Sequence, residues 1–152
     1  MYQITFNIAK ANVFEEVAKT TSYIGAKMRD DETAYDRIFT TDADSTMLDR
    51  FWTECADLLT DQLKPFLLSG GSSSTSYNVV LSLSSSYDQS LTSSITTSMR
   101  SYFVAGIIER WCKFTDKEEA VSYAADATRH LDDIMRKIYY KKKPTRTLIN
   151  GQ

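Results

Sequence analysis

Apolar and polar residues alternate from the start of the chain: Tyr2, Ile4, Phe6 and Ile8 interleave with Gln3, Thr5 and Asn7. A period of two is the mark of a strand with one buried face, so a strand is predicted over about 2 to 8. The period then lengthens. After Asn12, Val13, Phe14, Val17, Thr21, Ile24 and Met28 recur at three- and four-residue steps, and Glu15 stands where a capping box places its acid. This predicts a first helix of about twenty residues with Asn12 as its cap. Gly25 inside it costs up to about 1 kcal/mol relative to Ala, which close approach of another backbone would explain.

Residues 29 to 44, "RDDETAYDRIFTTDAD", form a polar connection in which Tyr35, Ile38 and Phe39 could pack as a short helical turn. Thr41 and Asp44 have capping-box spacing. Leu48, Phe51, Trp52, Cys55, Leu58, Leu59 and Leu63 then trace one apolar stripe, a second helix limited by Pro65. Tyr77, Val79, Leu81 and Leu83 alternate again, Phe66 to Leu68 could supply a partner strand, and "SGGSSSTS" between them reads as a flexible hairpin tip. A lone hairpin is marginal in water, so pairing with the first strand into a three-stranded antiparallel sheet is expected.

Asp88 should cap a third helix running through about Phe114, apolar on most of its circumference around "YFVAGIIERW" and hence central. Thr115 and Glu118 repeat the capping-box spacing, and Ala120, Ala124, Ala127, Leu131, Ile134 and Ile138 draw a narrow seam along a fourth helix. A helix from about 116 to 142 would be roughly 40 Å long, long enough for part of it to project. The pattern as a whole predicts a mainly α chain with a small antiparallel β-sheet (α+β). It has about four helices, with the hairpin between the second and third. Residues 1–143 should form a single domain, and residues 144–152 a flexible basic arm.

Composition adds little except in charge. The chain has 152 residues, 42% of them hydrophobic and 25% charged, which suits one domain able to bury a core without staples. Its formal net charge is only -2, yet six cations and no acids lie from Arg136 onward. The remaining twelve cations face all 20 acidic residues, so an acidic body of net -8 carries a basic tail. No basic leader runs into an apolar stretch and no window nears about 18 uninterrupted apolar residues, so neither a signal peptide nor a membrane span is expected. The protein should be made in a cytoplasm.

Candidate chemistry is sparse. Cys55 and Cys112 fall within helical patterns and read as reduced, buried thiols. His130 is the one histidine and has no ligand-spaced companion, so neither a metal site nor a base for a Ser or Cys nucleophile is expected. Asp42 and Asp44, and Asp116, Glu118 and Glu119, sit at helix starts, where the dipole accounts for them. Asp30, Asp31 and Glu32 could bind a cation but lack calcium-loop spacing. No glycine-rich phosphate motif is present, so no cofactor is expected.

The basic tail remains. Arg136, Lys137 and Lys141 can be explained by a helix C-terminus. Lys142, Lys143 and Arg146 exceed that need, and Tyr139 and Tyr140 stand beside them as surfaces that could pack on protein or stack on bases. A solvated helix end, a docking arm for an acidic protein surface and a nucleic-acid contact all fit these residues. The acidic body weighs against nucleic acid.

The stretches "ETAYDRIFTTDADSTMLDRFW", "LSSSYD", "RWCKFTDKEEA" and "KIYYKKKPTR" resemble those of small proteins encoded in bacteriophage and prophage structural modules, proteins without assigned chemistry. The order of elements is similar to that of head-tail connector, or neck, proteins. That resemblance implies a non-enzymatic virion structural protein, a connector or tail-completion subunit that forms a homo-oligomeric ring on assembly. Its partners would be other phage structural proteins such as portal or tail subunits. It implies no membrane contact and localisation to the virion after assembly in the host cytoplasm. The alternative is a small DNA-binding or regulatory protein that uses the basic tail.

Overall fold

The computed structural model describes residues 1–27 and 33–145, without the side chains of Lys27 and Asp42. Strand β1, Tyr2–Ala9, runs without a break into helix α1, Lys10–Lys27. The helix therefore starts two residues before Asn12 and has no need of it as a cap. The Lys10 amide instead donates to the Thr75 carbonyl at 3.0 Å, tying the strand-to-helix junction to the hairpin tip. Helix α2, Ala34–Ile38, is the short turn that the apolar residues of the connection suggested, and it makes the count of α-helices among the described residues five rather than about four.

A 3-10 turn at Asp42–Asp44 leads into α3, Ser45–Leu63. Here the Thr41/Asp44 spacing does work: the Asp44 carboxylate accepts from the Thr41 amide at 2.9 Å and from its hydroxyl at 3.3 Å. Pro65 ends the helix as expected, sitting in a 3-10 turn at Lys64–Phe66. Strands β2, Leu67–Ser72, and β3, Ser76–Leu83, complete an antiparallel sheet in the order β1-β3-β2. Gly70, at a φ of 102°, lets β2 extend into the glycine-serine stretch. The tip between them is tied down: the Ser73 amide donates to the Ser76 carbonyl at 2.7 Å, and the Ser73 hydroxyl accepts from the amides of Thr75 and Ser76.

Asp88 caps, but one element earlier than expected. Its carboxylate accepts from the Ser90 amide at 3.0 Å and thereby starts a 3-10 turn, Gln89–Leu91, which winds into α4, Thr92–Thr115. The last helix, α5, Lys117–Tyr139, is capped by Asp116, whose carboxylate accepts from the Glu118 amide, and not by Thr115. The Thr115 hydroxyl is turned back to the Trp111 carbonyl at 3.2 Å.

The core lies where one face of the sheet meets the helices. Phe6, Ile8, Tyr77, Val79, Leu81 and Leu83 are buried from the sheet, and α4 is buried on most of its circumference from Ile95 to Cys112. Trp52 of α3 stacks on Phe103 of α4 at 4.4 Å between ring centroids. Such aromatic pairs add about 1 kcal/mol beyond the area they bury. Gly106 makes room for Cys55 of α3 against α4: a Cβ there would lie 2.7 Å from the Cys55 sulfur. Gly25 has the backbone reason expected of it, since a Cβ would lie 2.6 Å from Tyr35 Cα. Trp111 reaches across to donate to the Ile38 carbonyl at 2.6 Å, which fixes α2 on α4.

At 23 residues α5 is about 34 Å long, shorter than expected, and it lies along the 24-residue α4. Ala120, Ala127, Ile134 and Ile138 are buried down to its last turn, so no part of it projects. No helix among the described residues is long and apolar enough to cross a membrane.

Candidate docking surface

The basic segment near the C-terminus is divided by the fold into a structural part and an exposed part. Four side chains meet where α5 leaves the α4 surface. Lys137 Nζ lies 2.6 Å from Asp133 Oδ2 and donates to the hydroxyls of Ser94 at 2.7 Å and Ser98 at 3.1 Å. Ser98 in turn donates to Asp133 at 2.8 Å, and Arg136 closes the cluster from outside by pairing with the other Asp133 oxygen. The Lys137 hydrogen bond, with help from Ser98 and Arg136, holds the Asp133 carboxyl down at about 2, against the opposing effect of burial.

This network changes the reading of two predicted docking residues. Lys137, with 18% of its side chain exposed, spends all three of its donors inside the protein. It acts as a clamp between α4 and α5, which leaves none of its donors free for a partner. Arg136 is 76% exposed but already paired with Asp133. A serine-rich helix can hold a half-buried ammonium here because Ser94 and Ser98 lie one turn apart on the same face. Nothing in the sequence aligns those serines with Lys137, and so the clamp was missed.

Beyond α5 the chain turns extended. The helix stops at Tyr139, before Pro144 could intervene, and Tyr140 takes an extended backbone with φ of -65° and ψ of 130°. Lys141 then forms an antiparallel bridge with Tyr87, and the Lys142 amide donates to the Ser86 carbonyl at 2.7 Å. The backbone of this segment is thereby attached to the loop after β3. Tyr87 is itself buried and its hydroxyl shares a 2.9 Å hydrogen bond with Thr92.

The side chains of Lys141, Lys142 and Lys143 are exposed, and none of them makes an ion pair among the described residues. Lys142 is close enough to Asp88 to act on it. The Asp88 carboxyl is lowered first by the Ser90 hydroxyl and amide, and Lys142 adds a smaller electrostatic contribution. Tyr139 is 59% exposed while its ring packs edge-on against Phe66 at 5.2 Å. Tyr140 is 49% exposed and borders a shallow groove with Asp88, Leu91, Arg136 and Lys137. Leu68 at the start of the hairpin is a further exposed apolar side chain. Five of the predicted docking residues, Tyr139, Tyr140 and Lys141 to Lys143, are therefore presented together on one short stretch, and Arg146 lies outside the described residues.

The other candidates recede. Cys55 is buried on α3 with its thiol pushed up to about 12 by desolvation, and Cys112 is likewise raised to about 11. Both are poor nucleophiles at neutral pH. His130 faces a shallow, mixed-charge groove with Arg129, Asp132, Asp133 and Arg136, and burial followed by Arg129 disfavours its charged form. No cluster of metal-ligating groups occurs among the described residues, and the acidic run Asp30, Asp31 and Glu32 lies outside them. What the surface presents is a row of cations beside two aromatic rings, its backbone tied to the body at Lys141 and Lys142. Comparison with protein-family profiles, with curated proteins and with solved structures returns no match.

Proposed function

We propose that this chain is a non-enzymatic structural subunit of a bacteriophage-type particle, of the head-tail connector or tail-completion kind, which docks on an acidic neighbour and assembles into a ring. The observation that supports this reading is the bridge between Lys141 and Tyr87, which holds three exposed lysines and two tyrosines on the folded body. A row of ammonium groups on a fixed backbone loses less conformational freedom on docking than one on a free tail. Aromatic rings beside the cations supply the apolar contact that a protein partner rewards. An acidic body of net -8 would repel a polyanion approaching from most directions, so a protein surface fits better than a duplex.

The test is a triple charge reversal, Lys141→Glu/Lys142→Glu/Lys143→Glu, made in a particle that encodes the protein. Electron microscopy should then show heads and tails unjoined, while the isolated variant melts as the wild type does. Particles that join normally would refute the docking role. Tight binding of the wild-type protein to a DNA duplex, falling steeply between low and physiological salt, would transfer the lysines to the DNA-binding reading.

A further inference from the structure

We infer that the outer edge of β1 is a pairing surface for β1 of a second copy of this chain, antiparallel and with Ile4 on the two-fold axis. The sheet order leaves β1 hydrogen-bonded to β3 on one side only. Among the described residues no backbone group pairs with its other side. Open edges are normally blunted by shortness, bulges, proline or charge. β1 has none of these: it is eight residues long, its register with β3 runs unbroken from Tyr2 to Ala9, and "YQITFNIA" contains no proline and no charge. The opposite edge, β2, is protected by a register shift between Leu67 and Ser69 and by two glycines at positive φ.

A second observation indicates that something belongs beside β1. Across the same rows of the sheet, Leu83 and Leu81 of β3 are fully buried. Their partners on β1 are not: Tyr2 is 37% exposed and Ile4 half-buried. The apolar face thus loses its cover on the outer side of β1, toward its N-terminal half.

The occupant must offer apolar residues in those rows and uncharged polar ones between them, and β1 does both for itself. With Ile4 on the axis, Tyr2 faces Phe6 of the second strand, Ile4 faces Ile4, and Gln3 faces Thr5. Like therefore meets like on each face, and no like charges oppose one another. Two-fold pairing joins the sheets in the order β2-β3-β1-β1-β3-β2 and closes both β1 edges along the N-terminal half, from Tyr2 to Phe6, where the apolar face lacks cover. The inference stands apart from the particle reading. Loss of docking leaves it untouched, and a monomeric protein leaves the docking test untouched.

The test uses two double variants at exposed positions on the solvent face of β1. Gln3→Lys/Thr5→Lys places lysine opposite lysine twice, and Gln3→Glu/Thr5→Lys places glutamate opposite lysine twice. By sedimentation equilibrium from low to high micromolar concentration, the wild type should form a dimer. The double lysine variant should dissociate roughly tenfold more readily, and the charge-swapped variant should return to wild-type behaviour or tighter. Circular dichroism melts of all three proteins confirm that the monomers remain folded. A wild type that stays monomeric, a dimer indifferent to both variants, a charge-swapped variant as weak as the double lysine one, or growth beyond a dimer would each overturn the inference. The last two outcomes would point respectively to a different register and to head-to-tail pairing with β2.

Discussion

The Asp133 cluster can be tested quantitatively because its geometry and its acidity describe the same interactions. In the folded protein the carboxyl sits at about 2, against an ordinary value of 3.8. A carboxyl lowered in this way stabilises the fold fully above the ordinary value and loses that contribution as pH falls through the folded one. The window is therefore about pH 4 down to about pH 2. At 1.36 kcal/mol per pH unit the contribution is at most about 2.4 kcal/mol, and water's access to a side chain 22% exposed brings it to about 1–2 kcal/mol. Asp133→Asn removes the charge while keeping the shape, and leaves Lys137 without its counterion between α4 and α5. Urea unfolding at pH 7 should show a loss of about 1–3 kcal/mol. Between pH 4 and pH 2 the variant should lose about 1–2 kcal/mol less than the wild type over the same interval. Lys137→Met made on top of Asp133→Asn should cost little more, since the ammonium it removes has already lost its partner. Equal acid sensitivity in wild type and variant would refute the argument.

Two further outcomes follow from the packing of α3 on α4. Gly106→Ala should gain up to about 1 kcal/mol of helix propensity but lose more to overpacking against the Cys55 sulfur, typically about 1–3 kcal/mol; combining it with Cys55→Ala should recover most of that loss in a double-mutant cycle. Thiol labelling at pH 8 should leave both cysteines of the native protein unmodified and modify both rapidly in denaturant, because burial pushes Cys55 up to about 12 and Cys112 up to about 11.

Where a single element decides its own conformation, the sequence was a good guide. Alternation located β1 and β3, Pro65 ended α3, the all-round apolar stretch identified α4 as the central helix, and Gly25 anticipated the approach of α2. Most of the misreadings share one physical cause, which is that neighbours distant in the chain satisfied groups assigned to local partners. Asn12 lost its capping role because the Lys10 amide is taken by Thr75 in the hairpin tip. Thr115 is the local exception: Asp116, the next residue, accepts from the Glu118 amide in its place. Lys137 was counted among the docking cations because nothing local shows that Ser94 and Ser98 face it across α4. The hairpin tip read as flexible for the same reason, since its serines close on one another and on Lys10.

The loop after β3 has a consequence for how the chain is made. Leu83 is paired with Tyr2 and, one short turn later, Tyr87 is bridged to Lys141, so the segment in between is gripped by β1 on one side and by the stretch after α5 on the other. The Tyr87–Lys141 bridge joins residues more than fifty positions apart, and contacts of that kind form late because the intervening chain must be closed first. During synthesis the first strand and hairpin can pair while α5 is still in the ribosome. The basic stretch, by contrast, has no seat until its last residues have emerged. Its lysines are therefore brought onto the body only once the helical core beneath them is whole, so the timing of synthesis itself withholds the surface from incomplete chains.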